Sequence, residues 1–199
     1  MTTAATTSDQ TTSKTYHLNQ TGRWIALGLA AGTLGFWLFA LWQLPNVLSS
    51  DAVRVSYLDP STFAEAIDRG LNAYQIVPAL LLIVLIVAAP LLIWNVAEEW
   101  STSYTVRDDG LVYDTIQGIC VLYPWTSIQS LRLVDPEARE PVHELIVDQR
   151  GVLQIRSRIL RWLHAQALGR ARVPIYAHIT DRDDLIDEIT RRAGLASSN

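Results

Sequence analysis

The sequence is short of the residues that disulfide-bonded folds and most active sites require. Its 199 residues include a single cysteine, Cys120, which excludes an intrachain disulfide and a zinc site built from cysteines. No phosphate-binding glycine loop, nucleophile elbow or Cys-x-x-Cys pair occurs. The four histidines are scattered without metal-ligand spacing, so we expect each to be an ordinary, partly exposed side chain. We therefore expect a non-enzymatic protein that uses no cofactor and no metal.

The chain also lacks the excess of positive charge that binding to nucleic acid would need. The net charge is −4, and Lys14 is the only lysine among 16 basic residues. A chain without excess positive charge has no general affinity for a phosphate backbone, so we expect no nucleic acid partner. Residues 1–22 are rich in threonine and poor in apolar residues, which predicts a disordered tail.

Two stretches contain no charge at all, residues 24–44 and residues 75–97. A helix of about 20 apolar residues crosses a bilayer core, so the sequence predicts a transmembrane hairpin over residues 23–97 with a loop over residues 45–74. We expect Pro45 to end the first helix. Because neither stretch holds an ionisable residue, a pump, a channel and a proton relay are disfavoured.

Three glycines recur at helical spacing in the first apolar stretch, Gly28, Gly32 and Gly35. Small residues at this spacing let a second helix approach closely. Packing against the second helix of the same chain is the favoured interpretation, and contact with a helix of another chain is the alternative.

From residue 98 the pattern changes to short alternating runs that are typical of antiparallel strands. An Asp-Asp-Gly turn joins the runs SYTVR and LVYDT, and QRG joins HELIVD and VLQIR, which predicts two hairpins. The final segment, TDRDDLIDEITRRAG, predicts a helix with acids in its first turn and arginines in its last. The expected fold class is membrane α+β: two transmembrane helices, then a small antiparallel β-barrel or sandwich over residues 98–195, closed by the C-terminal helix.

The order of these motifs resembles the bacterial pleckstrin-homology-like (PH-like) domains. The resemblance rests on YTVRDDGLVY, on the segment from Gly118 to Trp125 followed by SIQSL, and on the terminal PIYAHITDRDDLIDEITRRAG. It implies a seven-strand barrel with a C-terminal helix, an interaction role without a reaction, and a bacterial plasma membrane. Together with the single cysteine, it leads us to expect both termini in the cytoplasm. Residues 156–172 depart from the family pattern because they are richer in arginine and more helical than a simple hairpin.

The same departing region carries the one charged constellation in the chain. No acid occurs from Gly151 to Thr180, while six arginines fall in or next to this range: Arg150, Arg156, Arg158, Arg161, Arg170 and Arg172. We interpret these six residues as a basic patch that faces the membrane surface and its anionic lipid headgroups. The alternative is a solvated face that the acids of the C-terminal helix neutralise.

Two functions follow from this reading. The first is a membrane-anchored PH-like interaction or scaffold module whose partners are the lipid bilayer and a protein. The second is an accessory subunit of a larger multi-subunit membrane complex, held through the glycine stripe.

Overall fold

The computed structural model describes residues 13–134, 137 and 142–195, and it is an α+β protein made of two compact units. The helical unit comprises Trp24–Ala97, and the β-rich unit comprises Met1–Arg23 together with Glu98–Asn199. The chain therefore leaves the β-rich unit, forms the helical unit and then returns.

The helical unit is built mainly from two long helices. Helix α1 spans Gln20–Leu48 and α3 spans Ala73–Ser101, with the short helix α2, Ser61–Asp68, between them. Both long helices are apolar enough to cross a membrane, and only 11% of the most apolar window in each is buried. A core helix of a soluble protein would be mostly buried, so this exposure favours a lipid environment. The expected stop at Pro45 is wrong: α1 continues to Leu48, where Ser49 donates backbone and hydroxyl bonds to the Pro45 carbonyl.

A small core holds the loop of the helical unit in place. It is formed by buried side chains from α1, α2, α3 and the connecting segment: Leu44, Leu48, Val53, Val55, Ala66 and Ala79. Farther along, the indole of Trp37 donates to the carbonyl of Ile86 at 3.1 Å and links α1 to α3. The connection between the two long helices therefore contributes buried side chains to a core of its own, although other residues in it, such as Leu58, are exposed.

Among its described residues, the β-rich unit has seven strands in two antiparallel sheets. The first sheet has the order β1 (Lys14–His17), β2 (Ser103–Val106), β3 (Gly110–Asp114) and β4 (Cys120–Pro124). The second has the order β5 (Ile128–Leu133), β6 (His143–Val147) and β7 (Arg172–Ile175). Helix α4 (Arg158–Leu168) precedes β7, and α5 (Arg182–Ala193) ends the unit. Of the two expected arrangements, a barrel or a sandwich, the barrel is wrong, because the described strands pair into two separate sheets.

Buried and more exposed side chains alternate along the strands, and the buried ones form the core of this unit. Tyr104 and Val106 on β2 are buried, as are Leu145 and Val147 on β6, while their neighbours along each strand are more exposed. This period of two places one apolar face of each sheet inside. The hydroxyl of Tyr104 donates to the Pro174 carbonyl on β7, which ties the two sheets together.

The first strand corrects the prediction of a disordered tail over residues 1–22. Lys14–His17 pairs with β2 from Lys14↔Val106 to His17↔Ser103, and residues 1–12 lie outside the described residues. The hydroxyl of Tyr16 and the ammonium of Lys14 both donate to the Asp184 carboxylate on α5. A polar segment is thus ordered by partners that lie far along the chain.

The hairpin expected at QRG is also wrong. Gly151–Gln154 forms a short 3-10 helix instead of a strand. The side-chain amide of Gln154 donates to the Leu122 carbonyl at 2.7 Å and accepts from the Leu122 N–H at 3.0 Å. One side chain therefore satisfies the free edge of β4 in the way a neighbouring strand would.

We predict that Asp184→Asn destabilises the β-rich unit at neutral pH and that the difference from wild type fades in acid. Hydrogen bonds from Lys14 and then Tyr16 hold the pKa of Asp184 below its usual value of 3.8. A carboxyl with a lowered folded pKa stabilises the fold above its unfolded pKa, and this contribution is lost as the pH falls from 3.8 through the folded pKa.

The measurement is the midpoint of thermal unfolding in detergent, followed by circular dichroism between neutral pH and strong acid. Asp183→Asn is the matched control, because it removes a carboxylate from the same first turn of α5. A constant difference across the whole pH range would contradict the assignment.

Candidate functional site

Four of the six predicted patch arginines line one pocket in the β-rich unit. The cavity has a volume of about 570 Å³ and is lined by Gln149, Arg150, Val152, Leu153, Arg158, Arg161, Trp162, Ala165 and Arg170. We call this the arginine pocket. Its volume lies in the range of about 300–1,000 Å³ that small-molecule sites occupy. Arg156 and Arg172 are not among its lining residues, and Arg172 contacts Glu144 at 3.6 Å instead.

Helix α4 supplies one wall of the pocket. Ser157 caps the helix, since its hydroxyl accepts a hydrogen bond from the Leu160 N–H at 3.3 Å. Gly169 ends the helix with a positive φ of 84°, a conformation that favours glycine. Between these ends, residues at positions one, four, five and eight of the helix line the pocket, namely Arg158, Arg161, Trp162 and Ala165.

One arginine is fixed by the backbone beneath the pocket. The guanidinium of Arg161 donates to the carbonyls of Ile155 at 2.7 Å and Leu153 at 3.4 Å. These bonds connect α4 to the 3-10 turn that carries the opposite wall. Arg161 is therefore both a source of positive charge and a structural support.

The other pocket arginines are largely free of acids. Arg150 lies 3.8 Å from Asp148 across an exposed contact, a distance at which such a pair contributes little. Arg158 and Arg170 make no ion pair with any residue that the structure describes. None of the described residues that line the pocket is an acid, and the nearest ion pair is the one between Arg150 and Asp148.

Two acids of α5 form ion pairs with residues outside the basic patch. Asp184 pairs with Lys14, and Glu188 pairs with Arg191 and Arg192. Within the described part of the chain, no ion pair joins α5 to any of the six arginines. Acids outside α5 contact two of the six arginines, since Arg172 meets Glu144 and Arg150 meets Asp148.

Apolar side chains border the charged ones. Leu153 is 64% exposed and Trp162 is 58% exposed, although both are large hydrophobic residues. They flank the pocket together with the buried side chain of Val152. The pocket therefore offers cationic donors and apolar surface to the same ligand.

A buried polar cluster fixes the opposite face of α4. Nδ1 of His164 lies 2.5 Å from Oε1 of Glu98, which is in the last turn of α3 but belongs to the β-rich unit. His164 is 0% exposed and Glu98 1%. Burial raises the pKa of Tyr113 well above its usual value, so its hydroxyl stays protonated and donates to the same carboxylate oxygen at 3.0 Å.

Sequence reasoning missed this cluster, because the expectation that every histidine is partly exposed is wrong for His164. The signal was present: His164 lies between Leu160, Leu163 and Ala167, which are the apolar positions of α4. A histidine on the apolar face of a short helix needs a buried polar partner. That partner, Glu98, is 66 residues away in sequence.

The glycine stripe lies outside any helix contact. A Cβ atom added at Gly28, Gly32 or Gly35 would have no atom within 4 Å apart from its own helix. Packing against the second helix of the same chain, the favoured interpretation, is therefore not what these glycines do. Searched through the described residues, the chain brings no three of His, Cys, Asp and Glu together as a metal site.

We predict that His164→Ala lowers the free energy of unfolding of the β-rich unit by about 3–5 kcal/mol, because it leaves the Glu98 carboxylate buried without its main partner. The double variant Glu98→Gln with His164→Ala should recover part of that loss, since a neutral amide costs less to bury. Urea unfolding of the full chain in detergent measures both. Strictly additive effects of the two substitutions would contradict a direct interaction.

Comparison of the chain with protein-family models, with curated proteins and with solved structures finds no match. The site is therefore defined by its own geometry: a positively charged pocket with an apolar border, on a unit whose chain connects directly to two helices that are apolar enough to cross a membrane.

Proposed function

We propose that this protein is a non-enzymatic interaction module that is anchored in a bacterial plasma membrane and binds its partners at the cytoplasmic leaflet. The observation that carries the proposal is the pairing of β1 with β2. The first of these strands precedes α1 and the second follows α3, so the chain leaves and re-enters the same sheet. If the two helices cross a bilayer, both of their flanks then lie on one side of it.

Short connections keep the β-rich unit near the membrane in this proposal. Two residues separate β1 from α1, and one residue separates α3 from β2. At no more than about 3.5 Å per residue, neither connection reaches much beyond about 10 Å. Each arginine that comes near an anionic leaflet contributes about 1 kcal/mol, so the free arginines of the pocket would orient a unit that is already tethered.

We propose further that the β-rich unit is a variant of the PH-like fold. Its seven strands and C-terminal helix support this assignment. It differs from the expected barrel in having two separate sheets, and in the helix α4 that precedes β7. The resemblance to PH-like domains implies an interaction role. The arginine pocket agrees with such a role, because its described lining residues present hydrogen-bond donors and apolar surface.

Labelling of Cys120 tests the sidedness on which the proposal depends. Cys120 is the only cysteine and its side chain is exposed, so the unmodified protein carries its own probe. We expect a membrane-impermeant maleimide to label it in sealed inside-out vesicles and not in intact cells. Because burial and Asp114 raise the pKa of this thiol, labelling is best followed at a pH of about 8.5.

Cys120→Ser gives the background signal, and detergent-opened vesicles give the maximum. Labelling in intact cells at the rate seen in opened vesicles would place the β-rich unit on the outer side and end the proposal.

A second candidate function, accessory subunit of a larger membrane complex, is favoured by the open glycine stripe. By helical geometry the three glycines lie roughly opposite the buried side chains Ala26, Ala40 and Leu44. A surface of small residues that none of the described helices of this chain covers is suited to close approach by a helix of another protein.

We predict that, if this candidate is right, Gly28→Leu with Gly32→Leu releases the chain from a large assembly, because two bulky side chains block close helix approach. Native sizing after mild detergent extraction measures the change. Leu27→Phe with Leu34→Phe is the control, since these exposed residues lie off the stripe. An assembly that survives the glycine substitutions, or a wild-type species of one or two chains, argues for the stand-alone module.

A further inference from the structure

We infer that the arginine pocket is a binding site for a phosphomonoester that carries an apolar group. This inference rests on the proposed function, because it names the class of ligand that the same arginine pocket would bind. The shared chemistry is a terminal phosphate, whether it is part of a lipid headgroup or of a soluble metabolite. The argument depends on the number of free guanidiniums, on the charge order of α4 and on the apolar border.

The donor set fits a doubly charged anion with several oxygens. Arg158 and Arg170 have no ion pair in the described chain, Arg150 has only a distant one, and Arg161 is held in place by two carbonyls. A phosphomonoester carries a charge of about −1.5 to −2 and three strong acceptor oxygens. Guanidinium groups bind such oxygens through paired, charge-assisted hydrogen bonds, so several arginines match one phosphate better than one carboxylate.

The charge order of α4 supports an anion at this position. The helix begins with Arg158 and has Arg161 in the same turn, with no acid in that turn and no base in its last turn. This order is unfavourable, because the amino end of a helix already carries partial positive charge. Helix α5 in the same unit has the opposite, favourable order, with Asp183 and Asp184 first and Arg191 and Arg192 last. A bound anion would offset the unfavourable charge at the start of α4.

The border of the pocket limits what else the ligand contains. Leu153 and Trp162 expose apolar surface beside the arginines, which is costly in water unless something covers it. Bare inorganic phosphate would leave this surface uncovered. An acyl chain, a glycerol ester or a ring next to the phosphate would cover it, and phosphatidic acid has this chemistry as a lipid.

The test measures how fast a cysteine in the pocket reacts with a maleimide. Leu153→Cys in a Cys120→Ser background places a thiol at the pocket border, and Ile116→Cys places one at an exposed site outside the pocket. The full-length chain is held in phosphatidylcholine nanodiscs. In the soluble arm, glycerol 1-phosphate is compared with glycerol. In the lipid arm, phosphatidic acid is compared with phosphatidylglycerol at equal surface charge.

We expect a phosphomonoester to slow labelling of Leu153→Cys severalfold and to leave Ile116→Cys unchanged. Arg158→Gln should weaken the protection about tenfold or more in ligand concentration, as expected for loss of a charge-assisted hydrogen bond. Arg156→Gln is the matched control, because it removes the same charge from a residue two positions away that does not line the pocket. Protection by glycerol 1-phosphate identifies a soluble source, and protection by phosphatidic acid alone identifies a lipid source.

Two outcomes overturn the inference. Equal protection by phosphatidic acid and phosphatidylglycerol, with none from glycerol 1-phosphate, would mean that the pocket meets a charged surface without selecting a phosphomonoester; the proposed membrane role would then stand. Absence of protection in every arm, or equal loss in Arg156→Gln and Arg158→Gln, removes the site. The Cys120 sidedness experiment is independent of all these arms.

Discussion

The buried carboxylate of Glu98 is the constraint on which the β-rich unit depends. It lies in the last turn of α3, just after the charge-free residues 75–97. Its Oε1 accepts a hydrogen bond from Tyr113 on β3 and contacts His164 on α4, both within the β-rich unit. A buried polar group costs free energy unless it finds hydrogen-bond partners, and Oε1 of Glu98 has them. The final turn of an apolar helix is thereby part of the core of the unit that follows it, and α4, with the pocket it lines, is positioned from there.

Two helices of the same unit use charge in opposite ways. The acids and bases of α5 agree with the helix dipole, and its side chains pair with Lys14 and with each other, so its charges serve stability. The charges of α4 disagree with the dipole and are left without acids in the pocket. A protein retains such a local cost where the charge has another use. This contrast is the reason that we assign the arginines of α4, and not those of α5, to the proposed site.

The parts of the fold that local pattern determines could be predicted from the sequence. The two apolar helices, the β2–β3 hairpin at Asp-Asp-Gly and helix α5 all follow from residues that are adjacent in the chain. Strand β1 could not be predicted, because a threonine-rich segment has no apolar period of its own and becomes a strand only beside β2, which lies beyond the whole helical unit. The failed hairpin at QRG has a similar cause, since Gln154 acts through its side chain on β4, an element distant in sequence.

The positive charge of the candidate site could be predicted from the sequence, but the cavity that its arginines line could not. Absence of acids between Gly151 and Thr180 identifies the basic region, and all six of its arginines look equivalent in the sequence. The fold makes them unequal: Arg161 is bonded to backbone carbonyls, Arg172 meets Glu144, and Arg156 lies outside the cavity. Only the 3-10 turn followed by α4 brings Arg150, Arg158 and Arg170 to one cavity beside Trp162. A count of charges along the sequence does not show that turn. The structure is therefore needed to go from a basic patch to a candidate pocket, as the difference between Arg158, which lines the cavity, and Arg156, which does not, makes plain.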